Sequence, residues 1–156
     1  AKDATSALLD GSLQPIEGDT LAVERLVDVE TVCEPWLESL SAADYLAVLC
    51  YMAPTDRNRQ HLASLRAAVQ ARTAAAVTVQ FGPRYLHSTG QYHKGGVARG
   101  HFLVVDDFAR LDRGELEDLA VPGASYTLGQ LIRAQADGDV HTLTARNRPV
   151  IRVTVG

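Results

Sequence analysis

The sequence predicts an α/β domain, and three observations carry that prediction. Residues 44–52, "DYLAVLCYM", form a nearly continuous apolar run of strand length, the pattern of a strand covered on both faces. A polar segment follows in which Leu62, Leu65 and Val69 recur at spacings of three and four, the mark of an amphipathic helix. Further apolar runs at 74–81 ("AAAVTVQF"), 101–107 ("HFLVVDD") and 149–155 ("PVIRVTV") alternate with helical stretches across short loops. Strand, helix, strand, strand, helix, strand is the order of a sheet flanked by helices.

Taken in order, residues 1–9 ("AKDATSALL") are good helix formers ended by Asp10-Gly11. Residues 10–19 carry Gly, Pro and Asp and read as a connector. In 27–42 the apolar residues fall near helical spacing. Pro35 lacks an N–H and should start or kink a helix rather than sit inside it, so the regular part is expected from about residue 35. Pro54-Thr55-Asp56 breaks the chain and caps a helix over 56–72. Pro122-Gly123 lies in a loop, and Thr127 is the expected N-cap of a helix of about ten residues, with a further helical turn in "VHTLTARNR". Residues 1–42 thus read as a helical segment with its connector, and 43–156 as the α/β domain.

Composition narrows the function. The 156 residues suit one domain with a sizeable core, and 46% hydrophobic content is globular rather than disordered. A net charge of −4 argues against a nucleic-acid partner, which would call for a basic face. The one basic cluster, Arg57, Arg59, Arg66 and Arg72, is spread along the 56–72 helix and reads as solvated surface. No apolar run approaches the ~20 residues that span a bilayer. Cys33 and Cys50 belong to no CxxC pattern, so a disulfide scaffold is not expected and a reducing cytoplasm is. The chain opens on Ala1-Lys2-Asp3, without the charged and apolar regions of a signal peptide.

The densest chemistry lies in 84–96, "RYLHSTGQYHKGG". His87 and His93 are two candidate metal ligands at an untypical zinc spacing, with no nearby cysteine or carboxylate to complete a set, and no metal is expected. Ser88 lacks the preceding glycine of a GxSxG nucleophile elbow. The hydroxyls of Ser88 and Thr89 and the backbone N–H groups of the glycines suit an anionic or polyhydroxylated ligand. A neighbouring histidine can move protons to and from sugar oxygens. On composition alone a polar turn with a surface histidine competes with that reading. His61, His101 and His141 lack such surroundings and read as structural or solvent-facing.

Residues 81–96, "FGPRYLHSTGQYHKGG", closely resemble the C-terminal part of bifunctional transaldolase/phosphoglucose isomerases, in which a block FGPR-x-LHSTGQ-x-HKGG recurs. "ADYLAVLCYMAPT" (43–55), "VPGASYTLGQLIRAQADGD" (121–139) and "NRPVIRVTVG" (147–156) resemble further blocks of that family in the same order. The resemblance covers about 43–156 and is weak over 10–42. It implies a layered, SIS-like sugar-isomerase fold with a largely parallel sheet, present here as a partial domain, and interconversion of glucose 6-phosphate and fructose 6-phosphate without a cofactor. It places the ring-opening histidine at His87. It also implies substrate binding by Arg84, Ser88, Thr89, Gln91, His93, Lys94 and Gly95, although Arg84 and Lys94 could equally form salt bridges or face solvent. The opening "AKD" resembles the end of a family stretch whose lysine matches a catalytic lysine, which would make Lys2 that residue.

The departures are as informative. The family's glutamate base sits in an ESTGK-like motif that these residues lack, as they lack the upstream phosphate-holding loop and the transaldolase domain. After "HKGG" the chain reads "VARGHF" where the family has something like PNTG. The expectation is therefore half an active site, inactive alone and completed in cis or trans by an upstream isomerase half. The alternative is a non-catalytic sugar-phosphate-binding or structural interaction module.

Overall fold

The structure, a computed structural model, describes residues 2–15 and 20–156. Among the described residues one all-parallel sheet holds β1 (Thr20–Val23), β2 (Tyr45–Tyr51), β3 (Ala76–Phe81), β4 (Gly100–Asp106) and β5 (Val150–Val155), in the order β1-β5-β4-β2-β3. Six α-helices accompany it: α1 (Lys2–Leu9), α2 (Val29–Leu37), α3 (Asp56–Arg72), α4 (Gly90–Gly95), α5 (Phe108–Asp112) and α6 (Leu128–Ala145). The expected α/β class with helices flanking a parallel sheet is present. No described helix is long and apolar enough to cross a membrane.

β4 is the middle strand with β2 beside it, and side-chain alternation along these two inner strands makes two cores. Leu46, Val48 and Cys50 point with Leu103 and Val105 to a face covered by Val29, Cys33 and Leu37 of α2 and by Leu62, Leu65 and Val69 of α3. Ala47, Leu49 and Tyr51 point with Phe102 and Val104 to the other face, covered by Phe108, by Ala136, Val140 and Leu143 of α6, and by Tyr85. Both central strands are buried along almost their whole length, which explains their uninterrupted apolar sequence.

α3 occupies 56–72 as expected, with the Thr55 hydroxyl accepting from the Asn58 N–H at 3.2 Å. Its basic cluster is more than solvated surface. Arg72 meets both Glu30, at 3.0 Å, and Glu34, tying α3 to α2, and the Arg59 guanidinium lies 5.1 Å from the centre of the Phe81 ring. Three expectations need correction. β1 is a strand at the sheet edge in a stretch where no strand was expected. α2 begins at Val29, and Pro35 sits in its last turn, where a missing N–H costs a single backbone bond while Val29, Cys33 and Leu37 bury one face. α6 runs 18 residues rather than ten, straight through Gly138, and absorbs the separate turn expected after it. Its start at Thr127 holds, as a full capping box with Gln130.

Both cysteines are free and buried. Burial pushes their thiols up, to about 11 for Cys33 and about 12 for Cys50, so neither is a thiolate nucleophile at neutral pH.

Candidate functional site

The connection from β3 to β4 carries the motif. It crosses β2 on the α6 face without a long helix: a 3₁₀ turn, Arg84–His87, leads into α4 and then into β4. Its Tyr85 lies by Tyr51, near the carboxyl end of β2, and its His93 by Tyr45, near the amino end, and the Tyr85 and His93 rings are themselves 6.2 Å apart, so the two anchors adjoin.

The first anchor is built on Asp139, a carboxylate of α6 with no exposed surface. It accepts from the hydroxyl of Tyr85, from that of Tyr51 at 3.1 Å, and from the ammonium of Lys94. The two phenol oxygens are also 2.9 Å apart. With one proton each they fill two of these three contacts, so the Tyr51 proton is shared between Asp139 and Tyr85. Burial, ahead of the neighbouring Asp139, holds the Tyr51 phenol well above its ordinary range, and burial does the same for Tyr85. Both remain protonated donors.

The second anchor is His93, 4% exposed. Its Nε2 lies 3.2 Å from Gln80 Oε1 and its Nδ1 3.3 Å from the Tyr45 hydroxyl. Gln80 Oε1 can only accept, so Nε2 carries the proton and Nδ1 accepts from Tyr45. The same Gln80 oxygen accepts from the Thr89 hydroxyl at 2.8 Å. Burial pushes the imidazole below its ordinary value, Asp139 opposes that and Lys94 adds to it. A depressed histidine pKa gives stability that is complete above the unfolded value of about 6.5 and falls as pH drops from there towards the folded value. Thermal melts between pH 7 and pH 5 should therefore show a loss in wild type that His93→Gln reduces; equal slopes in the two proteins would refute this.

The expected site residues thus divide. His93, Lys94 and Thr89 are engaged inside the domain, so His93 presents no free ring nitrogen to a ligand here. Arg84, His87, Ser88, Gln91 and Gly95 are exposed. Ser88 donates to the Tyr85 carbonyl at 3.3 Å, and His87 makes no side-chain hydrogen bond among the described residues. A Cβ on Gly95 would meet nothing within 4 Å, leaving its backbone approachable. Gly96 is a packing glycine, since a Cβ there would lie 2.5 Å from the Tyr92 carbonyl oxygen. Arg148 donates to the Gly96 carbonyl at 2.5 Å and Arg146 to that of Lys94 at 3.2 Å, closing the loop onto the end of α6. The Lys2 side chain lies outside the described residues.

A second feature was not singled out by the sequence. After β2 the chain moves outward to β3 and returns to β4 on the other side of β2, so the chain reverses between β2 and β4. Crevices beyond the carboxyl ends of strands at such a reversal are habitual ligand sites in open α/β sheets. Here one of about 410 Å³ opens there, lined after β2 by Met52 and Pro54, by Gly82 after β3, by Asp107 and Phe108 after β4, and by Leu128 and Ile132 of α6. Gly82 is needed for close approach: a Cβ would lie 2.6 Å from the Tyr51 ring. Asp107 is 7% exposed, and burial pushes its carboxyl above the usual range. Its neighbour Asp106 is fully buried and accepts from Arg152 Nε at 2.7 Å, whose Nη1 donates to Asp137 at 2.5 Å. The sequence signal was the pair "DD" closing an apolar strand, which alone does not tell a paired aspartate from an unpaired one.

Among the described residues no group of three or more His, Cys, Asp and Glu side chains is placed to hold a metal ion. Compared with known protein families and with curated proteins, the chain matches none.

Proposed function

We propose that the chain is the C-terminal portion of a cytoplasmic glucose-6-phosphate isomerase of the transaldolase/phosphoglucose isomerase type, with a layered sugar-isomerase fold. His87 opens the sugar ring by acid/base catalysis. A glutamate from an upstream half then carries the proton between C1 and C2 through an enediol, and that half holds the phosphate. Lys2 assists ring opening by stabilising developing negative charge. The observation that supports this reading is the division of one short loop. Its anchors are buried and bonded, while the His87 side chain is exposed and unbonded among the described residues, as are those of Arg84 and Gln91 in the same short stretch, as half of a site completed from outside requires.

Positioning acid, base and phosphate anchor together supplies much of such a rate enhancement, so the chain alone should not convert fructose 6-phosphate to glucose 6-phosphate. The same chain with the upstream isomerase half, fused or added separately, should. Silence from the completed protein, with fructose 6-phosphate still bound, would replace the proposal by a non-catalytic sugar-phosphate-binding module. Turnover by the 156 residues alone would refute the divided site.

A further inference from the structure

We infer that the crevice between the carboxyl ends of β2 and β4 binds a small organic ammonium ion, an apolar body bearing one protonated amine, with Asp107 as the counter-ion. The cations around the crevice are already paired elsewhere. Arg152 is held by Asp106 and Asp137, and its guanidinium also lies over the Phe108 ring. Arg133 pairs with Asp112 at 2.6 Å, and Arg110, whose charge acts on Asp107, pairs with Glu115 at 3.2 Å. The Asp107 carboxylate has no ion-pair partner among the described residues. It caps no helix either: α5 starts beside it, but the Phe108 N–H goes to Asp106 at 3.2 Å. A carboxylate more than nine-tenths buried, unpaired and facing a cavity is costly unless something supplies charge or protons.

The lining decides between ligand classes. Asp107 and the exposed Glu117 are its charged side chains, and it holds no Lys, Arg or His. A sugar phosphate would face two carboxylates and no cation, so this crevice is not the sugar-phosphate site proposed for the His87 loop. A purely apolar guest would strip the remaining water from Asp107 and leave its oxygens unbonded. An ammonium supplies both charge and donors. Met52, Phe108, Leu111, Leu116, Leu128 and Ile132 supply the apolar wall that the rest of the molecule would cover. The volume lies in the range of small-molecule pockets.

The test uses the whole chain with three probes of one shape, benzylamine, benzyl alcohol and benzyl phosphate, read by amide chemical-shift changes. Benzylamine should shift the amides of Met52, Phe108 and Gly129 with a Kd of about 1 mM or lower. Benzyl alcohol should bind roughly tenfold more weakly, and benzyl phosphate should leave these amides unmoved. Asp107→Asn should abolish the preference for the amine while melting no lower than wild type, because the amide removes a buried charge. Glu117→Lys, on the exposed rim, should weaken benzylamine about threefold or more without disturbing the core. Equal binding of amine and alcohol, benzylamine shifts confined to other residues, or an amine preference unchanged in both variants would overturn the inference. None of these outcomes bears on the isomerase reading, which concerns the other site.

Discussion

Replacing His87 by Asn is expected to lower kcat of the completed isomerase by roughly 10²–10⁴, the usual contribution of a positioned proton-transfer group. KM should change little, because Arg84, Ser88 and Gln91 remain beside it and the amide keeps the size and polarity of the ring. The substitution should cost less than about 0.5 kcal/mol of stability, since His87 is exposed and its side chain holds nothing in the fold. That separation matters: a variant that melts normally but has lost turnover indicts the chemistry, not the loop. The comparison is steady-state conversion of fructose 6-phosphate by wild-type and His87→Asn chains, each completed by the same upstream half. Full-rate turnover by the variant would remove His87 from the mechanism.

Asp139→Ala should be the most destabilising change near the site, at about 3–5 kcal/mol, the range for breaking a buried ionic contact from one side. The loss leaves the largely buried Lys94 ammonium without its carboxylate and two buried phenol hydroxyls without their acceptor. At this chain length that corresponds to a fall in Tm of roughly 10 °C. Removing the lysine charge at the same time should recover part of it, so Lys94→Met combined with Asp139→Leu should be less damaging than the sum of the two single changes. Urea denaturation of wild type, the two single variants and the double measures the coupling, with Asp139→Ala measured alongside. A loss below about 1 kcal/mol in Asp139→Ala would mean that the loop is held by its other bonds alone.

The extent to which the sequence revealed these features follows from what each feature depends on. β2 and β4 were legible because burial on both faces writes an uninterrupted apolar run, and α3 because one buried face writes a period of three and four. β1 was not: its four residues, "TLAV", are too few to show alternation, and an edge strand depends on a partner more than a hundred residues away. α6 was read short because Gly138 and two aspartates interrupt its pattern, yet Asp137 and Asp139 are buried by partners on β5, β2 and the β3–β4 connection. In the loop the sequence marked the reactive residue types but not their allotment. His87 and His93 are equally good proton-transfer groups on paper. Only tertiary packing sends one into a cage of Tyr45, Gln80 and Phe102 and leaves the other outside. The crevice at the chain reversal was invisible for the same reason, since its walls come from β2, β3, β4 and α6.

The pinning of the β3–β4 connection at Tyr85 and at His93-Lys94 also bears on how such a loop can drift. Tyr85, His93 and Lys94 are keyed to partners on separate elements, so a change in any of them must be answered elsewhere in the domain. Arg84, His87, Ser88 and Gln91 answer to no such partner beyond a single bond from Ser88 to the backbone. At these four positions one chemistry can be exchanged for another by single substitutions while the domain beneath stays folded, whereas Thr89 of the same stretch is held by Gln80. In such an arrangement new specificity would arise at those four positions, and inheritance would be strictest at the pins.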